Sequence, residues 1–273
     1  MINEIKKNKR NRENLQKIKK YINFCLENSK VPVHFSSDSK NIERKKENRI
    51  AIKKARENGH MIFINSGRAM GNIGDEIRSV GFDGYVAGIG CNIIYGDETL
   101  LSKTVSFSDA AWAIDHFGKT DRTVVLEGER LLISNHRYER EDIAFVKSSE
   151  ELKERFKNER ITKIFVPHVL EKDEYDFLSK KFLVYQHPGY AEYSQKGCTK
   201  ATGMEIILKH CGIDRAHSIA MGDSSNDTDM LKYAGISVAM GDAEEEIKSI
   251  CDYVSCPAAE GGVAKALYKF LNI

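Results

Sequence analysis

Residues 218–227, SIAMGDSSND, join a short run of small apolar side chains to a turn that is rich in carboxylate and hydroxyl groups. A short apolar run bounded by turn-forming residues is typical of a strand buried on both faces of a parallel sheet. Residues 61–65, MIFIN, form a second such run, and Ser66, Gly67 and Arg68 follow it. In an open α/β sheet the carboxyl ends of the strands share one edge, where ligands bind. The two stretches therefore predict an α/β fold with a parallel sheet and a polar site at one edge.

Strand-like and helix-like segments alternate on both sides of these turns. Residues 31–35, VPVHF, predict the first strand, and residues 43–58 predict a helix that ends at Gly59. The alternation returns after Thr199, where residues 200–211 predict a helix. The other predicted helices cover residues 71–80, 227–234, 244–251 and 261–271, and the other predicted strands cover 85–90, 218–222, 236–241 and 253–256.

Residues 86–190 interrupt this alternation. Short apolar runs such as NIIYG and TVVLEG are separated there by turn-forming Gly, Asp and Asn residues, with helical stretches among them. This pattern favours an inserted α+β domain over further βα units. We therefore predict three parts, which are a basic helical extension over residues 1–30, a core domain over 31–85 and 191–273, and the inserted domain over 86–190.

The composition excludes several classes of protein. The chain of 273 residues is 41% hydrophobic, and its net charge of +2 gives no strong field toward nucleic acid or a membrane surface. No apolar run reaches the roughly 18 residues that span a bilayer, and the N-terminus lacks the apolar segment of a signal peptide. The six cysteines form no CxxC pair, which favours reduced thiols in a cytoplasmic protein.

Residues 1–30 are locally basic, and Leu15, Ile18, Ile22 and Leu26 recur there at helical spacing. A charge run of this kind usually belongs to a solvated face, so the expected structure is a surface helix packed by its apolar stripe. An arm that binds an acidic partner is the other interpretation.

Three polar clusters and one lysine supply the candidate chemistry. Ser36 and Asp38 follow the strand VPVHF, residues 66–68 and 223–227 follow two other strands, and Lys200 opens a predicted helix. Carboxylates at two strand ends can hold Mg²⁺ through oxygen ligands. A lysine, a serine hydroxyl and backbone N–H groups can hold phosphate oxygens. This combination is typical of phosphoryl transfer, in which positioning and charge neutralisation provide most of the catalysis.

The order of these motifs resembles that of one enzyme family. GDSSND at 222–227, followed by Met230, is similar to the fourth motif of the haloacid dehalogenase (HAD) superfamily. SGR at 66–68, KGCTK with Lys200 and the C-terminal YVSCPAAEGGVAKAL are similar to motifs of its Cof-type branch, the phosphatases with a type IIB cap. The resemblance implies a Rossmann-like three-layer core with a parallel sheet and an α+β cap. It also implies a Mg²⁺-dependent phosphatase of small phosphorylated metabolites such as sugar phosphates.

The resemblance implies a role for each candidate residue. Ser36 falls in the slot of the nucleophile and Asp38 in that of the acid/base. The implied phosphate- or substrate-binding residues are Ser66, Gly67, Arg68, Lys200 and Asn226, and the implied metal-binding residues are Asp38, Asp223 and Asp227. Lys196 competes with Lys200 for its role. The implied partners are Mg²⁺ and a small phosphorylated metabolite, without nucleic acid or membrane, and the oligomeric state is left open.

The first motif departs from the family pattern DxDGT. Residues 36–40 read SSDSK, so that Ser36 replaces the nucleophilic Asp and Asp38 matches the acid/base Asp. Ser39 and Lys40 stand where the family has Gly and Thr. In a second register Asp38 would be the nucleophile and Lys40 would take the acid/base position, with a strand lengthened by two polar residues. Lys40 either stands near the phosphate, where its charge would partly replace that of the metal, or points to solvent.

A serine in the nucleophile slot has functional consequences. It lacks the negative charge of an aspartate, needs a base to attack phosphorus and ligates Mg²⁺ less well. The phosphatase activity is therefore expected to be weak or lost. A non-catalytic relative that binds a phosphorylated ligand or has a regulatory role is the alternative function. A phosphotransferase or mutase on the same core is a third.

Overall fold

The structure, a computed structural model, describes the backbone of residues 32–36 and the whole of residues 46–271 and 273. The predicted helical extension over residues 1–30 lies outside these residues, as do Asp38, Ser39 and Lys40. Within the part of the chain that is described, no helix combines the length and the hydropathy needed to cross a membrane.

Strands and helices alternate along most of the chain. The strands are β1 (Pro32–Ser36), β2 (Met61–Asn65), β3 (Gly84–Ala87), β4 (Asn92–Tyr95), β5 (Glu98–Ser102), β6 (Val125–Gly128), β7 (Leu132–Ser134), β8 (Ile143–Phe145), β9 (Ile161–Val166), β10 (Phe182–His187), β11 (Tyr190–Gln195), β12 (Ile219–Gly222), β13 (Ile236–Ala239) and β14 (Tyr253–Val254). The α-helices are α1 (Lys46–Glu57), α2 (Asp75–Arg78), α3 (Phe107–Lys119), α4 (Ser149–Phe156), α5 (Lys172–Lys181), α6 (Lys200–Cys211), α7 (Thr228–Tyr233), α8 (Glu245–Ile250) and α9 (Gly262–Leu271).

The chain divides into two compact units. The first unit contains the described residues up to Asn65 together with Glu76–Gly84 and Met204–Ile273. The second unit contains Ser66–Asp75 and Tyr85–Gly203. The core and cap boundaries predicted from the sequence fall at other residues and stay a prediction.

A parallel sheet with the strand order β14-β13-β12-β1-β2 forms the centre of the first unit. Val33 of β1 pairs with Ile219 of β12 on one side and with Ile62 of β2 on the other. The apolar residues 62–64 and 219–221 are almost completely buried, as expected for strands covered on both faces. This confirms the parallel α/β sheet predicted from MIFIN and SIAMG.

Helices cover the sheet of the first unit on both faces. On one face, Ala220 of β12 and Ala239 of β13 pack with Met204 of α6, Met230 of α7 and Ile247 of α8. Successive side chains of a strand point to opposite faces, so the buried neighbours of these alanines lie on the other face. The unit therefore has the three-layer Rossmann-like form that the resemblance implies.

Helix α1 is tied to the C-terminal helix α9, which lies in the same unit. Ala51 and Ala55 are buried at helical spacing, as the pattern of residues 43–58 predicts. The buried side chain of Asn48 donates to the Ala258 carbonyl at 2.9 Å and accepts from the Ala264 N–H at 3.0 Å. These bonds fix α1, which connects β1 to β2, relative to the start of α9.

The second unit combines the hairpin β4–β5 with a six-stranded sheet in the order β10-β11-β9-β6-β7-β8. The paired strands of this sheet are antiparallel, except that β7 and β8 are parallel. Helices α3, α4 and α5 pack on one face, where Phe117, Leu152 and Leu178 meet Leu126 and Ile164. The arrangement confirms the α+β character predicted for the insert.

The single tryptophan of the chain lies in the helical layer of the second unit. Trp112 of α3 stacks on His116, with ring centroids 4.4 Å apart, and contacts Phe177 of α5 at 5.1 Å. The indole therefore reports on the packing between α3 and α5.

The predicted helix over residues 71–80 is wrong in its extent. The structure has a 3₁₀ turn at Met70–Asn72 and only the short helix α2 after it. Gly71 explains the difference, because a Cβ atom there would lie 2.8 Å from the carbonyl oxygen of Gly128. The backbone of this stretch lies against the end of β6. A helix with side chains that face β6 would therefore not fit here.

The strand predicted over residues 85–90 is also shorter than expected and ends at Ala87. Gly88, Ile89 and Gly90 have φ values of 57°, 57° and 86°, which lie in the left-handed region. Glycine tolerates this region, but a β-branched residue such as isoleucine rarely adopts it. The chain therefore leaves the strand in a tight turn.

Candidate active site

Three strands of the first unit end at neighbouring positions. Ser36, the last residue of β1, pairs with Asn65, the last residue of β2. Phe35 pairs with Met221, which is the residue before the end of β12. The three strand ends therefore lie at the same edge of the sheet, as predicted. Asp38 lies outside the described residues, and its predicted role stays a prediction.

The turn after β12 is folded around the carboxylate of Asp227, which is fully buried. Its Oδ2 atom accepts hydrogen bonds from the backbone N–H groups of Asp223 at 3.0 Å and Ser224 at 3.2 Å. The Ser224 hydroxyl lies 2.8 Å from Asn226 Oδ1 and 3.3 Å from Asp227 Oδ2, and its single proton favours the shorter contact. Gly222 makes room for the carboxylate, because a Cβ there would lie 2.7 Å from Asp227 Cγ.

This turn gives its two aspartates different surroundings. Asp227 is buried and holds the backbone of the turn, whereas Asp223 and Asn226 are half-buried at the end of β12. The structure therefore brings together the three residues of the GDSSND motif that the sequence assigns to metal and substrate.

The donor atoms of this turn are compatible with Mg²⁺. Within residues 46–271, no group of three or more His, Cys, Asp or Glu side chains is placed to hold a metal ion. Mg²⁺ usually keeps several waters and takes one or two carboxylates together with phosphate oxygens of the substrate. Asp223 and Asp227 offer carboxylate oxygens, which suit Mg²⁺ better than metals that prefer nitrogen or sulfur ligands.

The turn after β2 belongs to the second unit, and hydrogen bonds of its backbone hold it in place. The Ser66 N–H donates to the Val86 carbonyl at 2.7 Å, and the Ser66 carbonyl accepts from the Ile89 N–H at 3.2 Å. The Ser66 hydroxyl oxygen accepts from the Arg68 N–H at 2.9 Å. Ser66 and Gly67 are buried, whereas Arg68 is exposed. We call residues 66–68 the 66–68 turn.

Lys200, also in the second unit, is the first residue of α6 and is only 1% exposed. Thr199 caps this helix, because its hydroxyl accepts from the Thr202 N–H at 3.1 Å and the Thr202 hydroxyl accepts from the Thr199 N–H at 2.8 Å. The start of the helix lies close to the turn after β3, since a Cβ on Gly90 would be 2.2 Å from the Thr199 carbonyl oxygen. The close packing of the Thr199 backbone against the backbone of Gly90 therefore fixes the position of Lys200.

The competing lysine has a different environment. Lys196 is exposed, and its ammonium group donates to the Lys180 carbonyl at 2.9 Å. A buried lysine needs partners for its charge, whereas an exposed one is solvated. The contrast favours Lys200 over Lys196 as the phosphate-binding residue, and the assignment stays a proposal.

A group of buried charges in the second unit was not singled out from the sequence. The Lys163 ammonium lies 3.2 Å from Glu127 Oε1 and 2.7 Å from Glu192 Oε2, and the exposed fraction of each of the three residues is 6% or less. Glu127 also accepts a hydrogen bond from the Ala69 N–H at 3.1 Å. Each of the strands β6, β9 and β11 carries one charged residue, but the sequence does not show which of these charges pair.

The opposite charges of this group stabilise the ionised forms of Lys163 and Glu192. Burial lowers the pKa of Lys163, but Glu127 and Glu192 outweigh this effect and hold the pKa above its usual value. Burial raises the pKa of Glu192, and Lys163 and His187 outweigh it, so that the pKa falls to about 2. Lys163 and Glu192 are therefore charged at neutral pH.

Comparison with known proteins identifies one family. The family model of haloacid dehalogenase-like hydrolases matches residues 35–267 of the chain. The phosphatase BT1666 from Bacteroides thetaiotaomicron has 25% identity and a TM-score of 0.74, with 89% of this chain and 96% of that chain covered. The HAD subclass IIB sugar phosphatase BT4131 has 25% identity and a TM-score of 0.73, with 89% and 100% covered. The YkrA protein of Bacillus subtilis (strain 168) is 25% identical over 227 residues, which are 80% of this chain and 88% of YkrA.

Proposed function

This chain belongs to the haloacid dehalogenase-like hydrolase family, and we propose that it is a Mg²⁺-dependent phosphatase of small phosphorylated metabolites such as sugar phosphates. The observation that carries the proposal is the turn at residues 223–227, where the buried Asp227 holds Asp223 at the end of a parallel strand. The similarity to a sugar phosphatase of subclass IIB supports the class of substrate.

Five residues have binding roles in this proposal. Ser66 and Lys200 bind the phosphate oxygens, the first through its hydroxyl group and the second through its positive charge. The burial of Lys200 strengthens its attraction for a phosphate, because the low dielectric of a protein interior weakens electrostatic screening. Gly67, Arg68 and Asn226 provide further contacts to the phosphate or to the rest of the substrate.

Asp38, Asp223 and Asp227 are the proposed residues that hold Mg²⁺. When bound, the ion would supply positive charge beside the phosphoryl group. Asp38 would also give a proton to the leaving group, since a carboxylic acid can serve as a general acid. Ser36 occupies the nucleophile slot at the end of β1.

The replacement of the nucleophilic aspartate predicts slow turnover. A serine hydroxyl attacks phosphorus only when a base removes its proton, and the resulting phosphoserine is harder to hydrolyse than an aspartyl phosphate. The sequence SSDSK therefore also supports the second candidate, a relative that binds a phosphorylated ligand without turning it over.

The test compares the natural protein with the Ser36→Asp and Ser36→Asn variants. Phosphate release from p-nitrophenyl phosphate and a panel of sugar phosphates is measured with and without Mg²⁺. We expect slow, Mg²⁺-dependent release by the natural protein and an increase of roughly a hundredfold or more in Ser36→Asp, since removal of a nucleophile elsewhere costs several orders of magnitude. Ser36→Asn has the size of aspartate without its charge and should show no increase.

The outcomes separate the two candidate functions. If the natural protein and Ser36→Asn are inert, Ser36→Asp is active and inorganic phosphate raises the melting temperature of all three, the protein is a binding relative. If all three are inert on every substrate and phosphate changes no melting temperature, both candidates fail.

A further inference from the structure

Glu127 connects the sheet of the second unit to the segment that follows the 66–68 turn. Its Oε2 atom accepts a hydrogen bond from the backbone N–H of Ala69 at 3.1 Å. Ala69 comes directly after Arg68 and is fully buried, and Glu127 is 4% exposed. A buried N–H group needs an acceptor, and here a carboxylate from a distant part of the chain provides it.

The other oxygen of the same carboxylate is held by Lys163. The Lys163 ammonium lies 3.2 Å from Glu127 Oε1 and 2.7 Å from Glu192 Oε2, on strands that are neighbours in the order β11-β9-β6. Glu127 and Lys163 are also direct partners in the register of β6 and β9. A chain of contacts therefore runs from Glu192 through Lys163 and Glu127 to the Ala69 N–H.

Stability alone does not explain this group of charges. Burying an ion pair costs desolvation energy that the attraction repays only in part, and apolar residues of similar size often serve as well. An apolar residue at position 127 would leave the Ala69 N–H without this acceptor. The Ala69 N–H therefore needs an acceptor oxygen at position 127, and this bond orients the turn.

The segment beside Ala69 lies close to the same sheet. A Cβ on Gly71 would lie 2.7 Å from the Leu131 N atom and 2.8 Å from the Gly128 carbonyl oxygen. At its other end, the 66–68 turn is fixed by the hydrogen bond from the Ser66 N–H to the Val86 carbonyl. The turn is thus held at Ser66 by β3 and at Ala69 by Glu127.

We propose that Glu127 is a positioning residue that fixes the 66–68 turn through the Ala69 N–H, with its own orientation set by Lys163 and Glu192. The purpose of the positioning rests on the proposed function, in which Ser66 binds phosphate. The support of the turn by Glu127 does not depend on that function.

The test measures the turn and the ligand separately. Hydrogen exchange of the Ala69 amide is followed by NMR and compared with that of Ile164, which is fully buried in β9 of the same unit. Binding of inorganic phosphate in the presence of Mg²⁺ is measured by calorimetry. Both measurements are made on the natural protein, Glu127→Ala and Glu127→Gln, because glutamine keeps an oxygen that can accept from the Ala69 N–H.

Glu174 provides a matched control in the same unit. It is 5% exposed, pairs with Arg122 and His116, and accepts a hydrogen bond from the Glu171 N–H at 3.0 Å. Glu174→Ala therefore removes a buried, paired carboxylate that also caps a backbone N–H, but one that has no hydrogen bond with the 66–68 turn or Ala69.

We expect Glu127→Ala to raise Ala69 exchange about tenfold or more relative to Ile164 and to weaken phosphate binding about tenfold, as for the loss of one hydrogen bond to a charged group. Glu127→Gln should recover much of both effects, and Glu174→Ala should cause neither. Unchanged Ala69 exchange in Glu127→Ala would overturn the proposal, whereas natural phosphate affinity with a destabilised turn would overturn the link between the turn and phosphate binding. If the natural protein does not bind phosphate, the proposed function fails and Ala69 exchange alone decides the role of Glu127.

Discussion

The backbone N–H of Asp223 donates to the carboxylate of Asp227 at 3.0 Å, so the second aspartate of the GDSSND motif holds the first in place. The two side chains differ in exposure, since Asp227 is fully buried and Asp223 is half-buried. The motif thus contains one aspartate that is fully buried and stabilises the turn and one that is half-buried beside it.

Alanine substitutions should separate these two contributions. Asp227→Ala leaves two backbone N–H groups without their acceptor and is expected to lower the free energy of unfolding by about 1–3 kcal/mol. Asp223→Ala should cost less stability and should abolish the Mg²⁺ response. Urea unfolding in the presence of EDTA and calorimetric Mg²⁺ titration check these expectations, with the exposed Asp242→Ala as control. Equal loss of stability in the two variants would contradict this division of roles.

A glycine in helix α6 should prove necessary for packing. Alanine is favoured over glycine in a helix by about 1 kcal/mol, so Gly203→Ala would stabilise the protein if space allowed. A Cβ there would lie 2.2 Å from Val86 Cγ1, however, and the overpacking is expected to destabilise the protein by about 1–3 kcal/mol. Val86→Ala added to Gly203→Ala should recover part of this loss in thermal unfolding.

Gly74→Ala provides the control for this substitution. Apart from Gly74 itself and its chain neighbours, no atom of the described residues lies within 4 Å of the position that its Cβ would occupy, so the change should alter the melting temperature little. A Gly203→Ala protein that is more stable than the natural one would show that Val86 can move aside.

Stability should depend on pH through Glu174. Burial raises the pKa of this carboxyl group, but the hydrogen bonds from Arg122 and His116 outweigh burial and lower the pKa to about 2 from the usual 4.5. Because the pKa is lower in the folded state, ionised Glu174 stabilises the folded protein at pH values above 4.5, and this contribution is lost as the pH falls from 4.5 toward 2.

The measurement compares the free energy of unfolding of the natural protein and Glu174→Gln across this pH range. The difference between them should be largest near neutral pH and should shrink between roughly pH 5 and pH 3. Asp173→Asn, at an exposed neighbouring position, should show no such trend. A difference that stays constant with pH would mean that the charge of Glu174 does not contribute.

The sequence predicts the parallel sheet well because its signal is local. The apolar runs MIFIN and SIAMG are followed directly by turn-forming polar residues, and both become buried strands. The first residue of α6, Lys200, is also predicted correctly, since the helical pattern starts there. Local periodicity and turn residues are sufficient for elements of this kind.

Other features depend on contacts that are distant in sequence. Gly71 breaks a predicted helix only because the backbone of Gly128 lies beside it, and the partner of Glu127 is decided by the register of two strands. The turn at Gly88 and its neighbours shortens a strand whose apolar pattern continues. No local pattern encodes these pairings, so the Glu127 group was missed.

The two lysines of KGCTK should differ in their effect on ligand binding. Lys200→Met removes a buried charge and is expected to weaken the binding of inorganic phosphate about tenfold or more. Lys196→Met removes an exposed charge in the same motif and should leave the affinity within about twofold, since exposed charges are screened. Calorimetric titration of both variants checks this prediction, and the reverse order would assign the phosphate role to Lys196.

The stacking of Trp112 on His116 has a practical consequence for folding studies. Because this is the single tryptophan, indole fluorescence observes only the α3–α5 layer of the second unit, whereas far-ultraviolet circular dichroism averages over both units. Coincident transitions of the two signals in denaturant would identify one cooperative block. Separate transitions would mean that the insert unfolds independently, and the emission of one indole would then measure its stability in the intact chain.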